Sequence, residues 1–179
     1  DYTVKRIPQK NFNLSTKDAT SCGMGELLTC ALDAKTDEKV MFFSNYGNCF
    51  RIAVGDLPEV RFRDKGLTLS QIFPDARTGE TPVSAFILPK EGVPEGELLV
   101  YTRQGLIKRS PWNEYQLLKA FFQGYKGKDG DEVFKVEALV PDSEIFYVTN
   151  RGGCTRFDSA EIPVQGRVAG GVHCINLSE

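Results

Sequence analysis

The 179 residues hold very little of what catalysis requires. There is one histidine, His173, inside an apolar run with Val172, Cys174 and Ile175. A lone histidine there is ordinarily packed or at a rim, and no Ser/His/Asp or Cys/His set can be assembled around it. No Walker-type phosphate loop occurs. Gly124-Tyr125-Lys126-Gly127-Lys128 has a phosphate-friendly composition, but it lacks a strand-to-helix setting and reads as a flexible basic loop. Asp129, Asp131 and Glu132 lack the remaining ligands of a calcium loop and read as an acidic turn. Neither a catalytic nor a metal site is expected.

Other absences narrow the class further. The five cysteines, Cys22, Cys30, Cys49, Cys154 and Cys174, form no C-x-x-C pair, and their odd number excludes a complete disulfide framework. Three of them sit in apolar strand-like runs, where a buried free thiol is the ordinary reading, and a reducing cytoplasm fits. No apolar run approaches the ~20 residues that span a bilayer, and no signal peptide is visible. No segment carries a convincing helical period; Tyr115–Phe122 is the one short candidate. The chain starts at Asp1 inside a strand-like pattern, without Met, and so reads as a piece of a longer protein.

Neither sign of charge dominates. The net charge is −2 and the pI about 5.6, against the pI above ~9 usual in a nucleic-acid-binding domain. The distribution is less even. Residues 98–128 carry Arg103, Lys108, Arg109, Lys119, Lys126 and Lys128 against Glu114 alone, whereas residues 129–144 carry six acids against Lys135. A mean charge hides such a pattern.

What is present is a repeat. Val40–Leu57, Leu98–Tyr115 and Ile145–Ile162 each read as an apolar run, Ser or Thr, two turn residues, Gly, three residues, Arg, then an acid and an apolar residue. The glycines are Gly47, Gly105 and Gly152, and the arginines Arg51, Arg109 and Arg156. The acid–apolar pairs are Asp56-Leu57, Glu114-Tyr115 and Glu161-Ile162. A truncated copy opens the chain, where Lys5-Arg6 matches Lys108-Arg109 and Phe12 takes the place of Leu57. The marker arginines, from Arg6 on, are 45, 58 and 47 residues apart.

Each unit predicts a β-hairpin: a short run rich in Val, Ile, Phe and Tyr, then a turn glycine that supplies positive φ. A further strand is expected before each hairpin, at Leu27–Leu32, Val83–Leu88 and Val133–Val140. A period near 45 residues with three or four strands per unit means blades, which must stack on neighbours to bury their faces. The reading is a single all-β domain over 1–179, with repeats at approximately 1–38, 39–90, 91–141 and 142–179: three full four-stranded blades and a truncated one, in a partial ring.

Stacking would set the recurring cations, Lys5, Arg6, Arg51, Lys108, Arg109 and Arg156, in a row along one rim. Lys10, Arg61, Arg63, Lys65, Lys119 and Arg167 follow one strand later. Arg103, Lys126, Lys128 and Arg151 lie in the turns and loops. Such a row can track a phosphate backbone; the bland counterpart is a solvated strand edge protected by cations. The marker Arg could instead anchor its blade by pairing with Asp56, Glu114 or Glu161. Nothing offers base-edge readout, so sequence-independent binding is expected.

The hairpin Tyr101-Thr102-Arg103-Gln104-Gly105-Leu106-Ile107-Lys108-Arg109 and the run Phe146–Phe157 resemble the blade signature of the C-terminal domain of bacterial type IIA topoisomerase A subunits, the group formed by the A subunits of gyrase and of topoisomerase IV (ParC). The tail Val164-Gln165-Gly166-Arg167-Val168-Ala169-Gly170-Gly171-Val172 is similar to the family's glycine-rich blade segment. Asp56–Gly66 looks closest to topoisomerase IV subunits of Gram-positive type. The resemblance implies a β-pinwheel whose blades exchange strands and whose outer rim binds and bends duplex DNA. It implies protein partners too, the rest of a dimeric A subunit with its ATPase B subunit. The catalytic tyrosine, ATP and Mg would lie elsewhere in the holoenzyme, with no cofactor here. It also implies a cytoplasmic, nucleoid-associated protein. Gyrase carries a Gln-Arg-Arg-Gly-Gly-Arg-Gly box in its first blade; Asn13–Glu26 has no such cluster, which favours topoisomerase IV over a gyrase subunit with a degenerate box. Two other classes stay open: a protein-interaction propeller, which leaves the phase-locked cations unexplained and lacks Trp-Asp blade ends, and a sugar-processing propeller, which would need carboxylates converging on one face.

Overall fold

The computed structural model describes residues 2–15, 27–92 and 94–177. Ten strands run in chain order as β1 (Lys39–Ser44), β2 (Asn48–Ala53), β3 (Pro82–Leu88), β4 (Glu97–Thr102), β5 (Leu106–Pro111), β6 (Phe121–Gln123), β7 (Val133–Ala138), β8 (Glu144–Val148), β9 (Cys154–Asp158) and β10 (Val172–His173). The helices are α1 (Gln9–Ser15) and α2 (Leu69–Ile72). The protein is all-β, as expected. The short helices were not foreseen, because seven and four residues are too few to display a 3.6-residue apolar period.

All three repeated hairpins form: β1–β2, β4–β5 and β8–β9 are antiparallel pairs. Each turn closes the same way. The amide N–H of Gly47, Gly105 or Gly152 donates to the carbonyl of Ser44, Thr102 or Thr149, at 2.9, 3.2 and 3.0 Å. The three glycines sit at φ of 77°, 76° and 81°, where a side chain is strained. In two copies the recurring hydroxyl accepts a backbone N–H just past the glycine: Asn48 to Ser44 Oγ and Leu106 to Thr102 Oγ1, both at 3.1 Å. The repeated Ser/Thr-x-x-Gly is therefore a turn with its own internal cap.

The outer strands come from elsewhere. Two sheets have four strands, in the orders β3-β1-β2-β6 and β10-β5-β4-β7, and β8-β9 stands as a two-stranded sheet, so two full blades and not the expected three occur among the described residues. Strands β3 and β7 pair with the hairpin upstream of them. This corrects the sequence reading, which placed Val83–Leu88 and Val133–Val140 ahead of the next hairpin; Leu28–Leu32 forms no strand. The fourth strand of each sheet arrives from beyond the next hairpin: β6 follows β5 yet pairs with β2, and β10 follows β9 yet pairs with β5. The register repeats, with Cys49 opposite Phe122, Ile107 opposite Val172, and Val4 bridged to Leu67. Those three receiving residues are each two before a marker arginine. The blades are thus joined by strand exchange, the pinwheel arrangement.

Packing follows the same period. Met41, Phe43 and Cys49 on one face of the first complete blade meet Leu98, Val100, Trp112 and Tyr115 of the next. Leu99, Tyr101 and Ile107 on that blade's far face meet Ile145, Tyr147 and Ile162. Alternate residues of β1 and β4 therefore face two neighbours, and both strands read as continuous apolar runs. In β8 only Ile145 and Tyr147 are covered, while Phe146 and Val148 are exposed. The apolar residue of each acid–apolar pair, Leu57, Tyr115 or Ile162, is buried at the end of a 3-10 turn. Of the four cysteines described, all free, only Cys49 is buried; Cys30 and Cys154 are exposed, and Cys22 lies outside the described residues.

The turn glycine also sets how closely the exchanged strand approaches. A methyl group at Gly105 would sit 2.7 Å from the Ile175 carbonyl oxygen, and one at Gly47 2.7 Å from that of Tyr125; at Gly152 it would meet nothing within 4 Å. Gly152→Ala therefore incurs only the left-handed backbone penalty, ~1–2 kcal/mol. Gly105→Ala adds a clash with backbone and is expected to lose ~1–3 kcal/mol more, a difference read by chemical denaturation of the two variants.

Candidate nucleic-acid interface

The sixteen sequence-marked cations divide into anchors and solvent-facing groups. Lys108 is the plainest anchor. It is fully buried, in register with Phe50 of the preceding blade, each one residue before its marker arginine. Its ammonium donates to the Gly124 carbonyl at 3.2 Å and to the Arg167 carbonyl, and lies over the rings of Tyr125 and Tyr115 at 5.3 and 5.7 Å. It joins the segment that follows β6 to the segment that leads into β10. Burial, with Arg167 nearby, lowers its pKa to about 8 against the opposing pull of Cys49 and Glu114. The expectation that Lys108 lies on the outer rim is corrected: it cannot meet a phosphate while these strands stay packed.

The marker arginines behave alike. Arg6 donates through Nε to the Leu57 carbonyl at 2.7 Å and pairs with Glu59 at 3.4 Å. Arg51 grips the Leu117 and Lys119 carbonyls. Arg109 pairs with Glu97 at 2.5 Å and reaches the Ser159 carbonyl at 3.3 Å. Arg156, more exposed, pairs with Glu144 at 2.6 Å. Anchoring was foreseen as the alternative, but with the wrong acids. Glu114 accepts the Arg167 amide at 3.1 Å, and Glu161 caps its own 3-10 turn. The true partners Glu97 and Glu144 stand twelve residues before their arginines, across the hairpin. Lys39 fills that place ahead of Arg51, which turns to carbonyls instead. Lys5 is half-buried with its ammonium near the Phe62 carbonyl at 3.5 Å. Arg167 is bound to the Gln123 carbonyl and stacks over Phe122 at 5.6 Å.

The other cations reach solvent. Lys10, Arg61, Arg63, Lys65, Arg103, Lys119, Lys126, Lys128, Arg151 and Arg156 are exposed. Arg103 pairs with Glu132 at 3.4 Å and Arg61 weakly with Asp64 at 3.9 Å. Among the described residues no carboxylate lies within ion-pair distance of Lys10, Arg63, Lys119, Lys126 or Lys128. Three of these, Lys119, Lys126 and Lys128, flank the exchanged strand β6. Arg61, Arg63 and Lys65 flank Leu67, the equivalent bridge residue of the preceding blade. At the opposite edge of the sheets, Lys90 beside β3 and Lys135 in β7 are neutralised by Asp37 and Glu137. The edge of exchanged strands is therefore the edge with uncompensated positive charge. His173, passed over in the sequence as packed or at a rim, stands exposed on β10 at that same edge, with Nε2 3.4 Å from the Lys128 ammonium.

No group of three or more His, Cys, Asp or Glu side chains able to hold a metal occurs among the described residues. Neither do they include a helix long and apolar enough to cross a membrane. The stretch 16–26, most of the segment compared with the gyrase box, lies outside them.

Lys108 has a pH signature. Its folded pKa lies below the unfolded value of 10.5, so the folded state disfavours the charge. Taken alone, this group leaves stability flat below about pH 8 and adds ~1–2 kcal/mol towards about pH 9.5, where the unfolded chain holds the extra proton. Burial keeps the Cys49 and Cys174 thiols protonated and opposes that gain in the same window, so the signature is a difference: denaturation at the two ends is expected to show wild type gaining stability relative to Lys108→Met.

Comparison with known proteins matches residues 38–88 and 143–179 to the family of the DNA gyrase C-terminal domain, beta-propeller. The chain is 29% identical to the A subunit of DNA topoisomerase 4 from Streptococcus pyogenes over 97% of its own length, and 29% identical to that from Bacillus subtilis over 100%. It is 29% identical to the DNA gyrase A subunit of Ureaplasma parvum over 82%. It spans only 22% of the length of the two topoisomerase subunits. A crystal structure of the C-terminal domain of DNA topoisomerase IV superposes with a TM-score of 0.85 at 28% identity, over 100% of this chain and 55% of that one. The E. coli ParC C-terminal domain shares the fold, with a TM-score of 0.69 at 16% identity over 98% of this chain and 68% of that one. Strand exchange, the repeated turn and these likenesses agree: over residues 38–88 and 143–179 the chain matches the DNA gyrase C-terminal beta-propeller family, and its whole length is similar to the C-terminal domains of topoisomerase IV.

Proposed function

We propose that the chain binds duplex DNA without sequence preference along the edge of its exchanged strands, as the accessory domain of a topoisomerase IV-like A subunit. The observation that carries this is the asymmetry of the two sheet edges. Arg63, Lys119, Lys126 and Lys128 face solvent without carboxylate partners, whereas Lys90 and Lys135 across the blade are paired off. Uncompensated cations at two successive strand crossings can follow phosphates along a duplex, and their spacing along an arc would favour a bent path. No base-reading element, such as a helix fit for the major groove, accompanies them among the described residues. The domain would hold a DNA segment for cleavage and strand passage performed elsewhere in a dimeric A subunit that works with an ATPase B subunit in the cytoplasm. The lack of a basic cluster in the sequence Asn13–Glu26 supports decatenation or relaxation over gyrase-like wrapping.

The test is a salt titration of duplex binding. Wild type should show a steep fall of log affinity with log salt. Arg63→Ala, Lys119→Ala and Lys126→Ala combined are expected to flatten the slope by roughly 2–3 units, near 0.9 for each phosphate no longer neutralised. Lys90→Ala and Lys135→Ala combined should leave it unchanged. Binding that does not respond to salt, or equal effects from both edges, would contradict the reading.

A further inference from the structure

Two exchanged strands from neighbouring blades meet beside β10. The loop after β6 is held against residues 167–173 by three contacts. Tyr125 Oη donates to the Gly170 carbonyl at 2.9 Å, and Lys108 ties Gly124 to Arg167. This brings the glycine-spaced loop Gly124–Lys128 alongside His173. Lys128 Nζ lies 3.4 Å from His173 Nε2, both exposed, with Lys126 exposed two residues before.

No described carboxylate forms an ion pair with these groups, although Asp129 follows Lys128 in the chain and Asp131 Oδ2 has no hydrogen-bond partner. Asp131 Oδ1 accepts the Gln104 and Glu132 amides at 2.9 and 2.8 Å, and Glu132 is committed to Arg103. The elements packed against β10 supply few other titratable groups. From β5 comes Lys108, which exchanges its proton near pH 8, above the range in which imidazole ordinarily titrates. The hairpin turn supplies Arg103. Beyond β10 stands Cys174, whose thiol is pushed up to about 11 by burial and stays neutral. Thr155 of β9 lines the adjoining 300 Å³ depression with His173.

In the contact between Lys128 and His173 the ammonium donates to the imidazole Nε2, and an anion entering between the two would take over the ammonium's donor while the protonated ring donates to it in turn. We propose that Lys126, Lys128 and His173 form a seat for one DNA phosphate where the two complete blades meet, with His173 donating as imidazolium. The seat rests on the duplex-DNA reading above and adds to it a dependence on pH. Protonation of His173 supplies one further cation at the rim, so affinity rises as pH falls. Because the sequence holds a single histidine, His173→Gln separates the imidazole's share of the response from that of the carboxylates and the α-amino group.

The experiment measures anisotropy of a labelled duplex at about pH 7.5 and about pH 5.5, each over a range of salt, for wild type and His173→Gln. Wild type is expected to bind about fivefold tighter at the lower pH, with a salt slope steeper by about one unit; His173→Gln should show neither change. A variant that keeps the full pH response overturns the seat while leaving duplex binding in place. Salt-independent or absent binding by wild type at both pH values overturns the duplex reading and the seat with it. A readout without DNA uses the lone histidine C2–H resonance. Inorganic phosphate should move its titration midpoint upward in wild type and not in Lys128→Ala, and no movement in wild type counts against the seat.

Discussion

The structure depends on one constraint: each four-stranded blade receives its outer strand from the chain beyond the next hairpin, and that strand passes within van der Waals distance of a turn glycine. At Gly47 the carbonyl accepts the amides of both Gly124 and Tyr125 at 2.8 Å, and at Gly105 it accepts that of Cys174 at 3.0 Å. A side chain at either glycine would collide with the incoming backbone. The glycine thus turns the hairpin and also admits the neighbour. Exchange makes blades interdependent, since a sheet without its donated strand keeps an unpaired edge, and it gives a small repeat a core it could not build alone.

The same exchange sorts the cations. Chain entering or leaving a donated strand must cross from blade to blade, and side chains at the crossing become buried or half-buried fasteners. Lys108 lies among the strands it joins, Arg51 and Arg109 hold backbone of the following copies, and Arg167 stacks on Phe122. Positions just outside the crossing, such as Arg63, Lys119 and Lys126, keep their charge in water. The acids have a matching division: Glu97 and Glu144 hold hairpin arginines, and Asp37 and Glu137 neutralise the far edge. Positive charge then remains where strands are donated, even though the net charge is −2.

Much of this fold was legible in the sequence, because hairpin, turn hydroxyl and glycine are local and repeat in phase. The exchanged strands were not. β6 and β10 have three and two residues, too short for any alternation, and their partners lie some seventy residues upstream. The missed pairing explains why Val83–Leu88 was placed with the wrong hairpin. The site was legible as a set of cations but not member by member. Lys108 follows Ile107 in an apolar run and aligns with buried Phe50, which pointed inward, yet its neighbour Arg109 drew it into the phosphate row. Glu97 was readable as the partner of Arg109 only once β4 and β5 were known to pair with Leu99 opposite Arg109. His173 carried no signal, since its neighbour Lys128 is forty-five residues away in sequence.

The central claim is that DNA lies along the edge of donated strands and not along the edge made by β3 and β7. Amide hydrogen exchange with and without a duplex tests it directly. The account expects added protection in residues 61–67, 119–128 and 167–173 and none in 82–90 or 133–138. Protection confined to the β3 and β7 edge, or absent from both while DNA is bound, would contradict it.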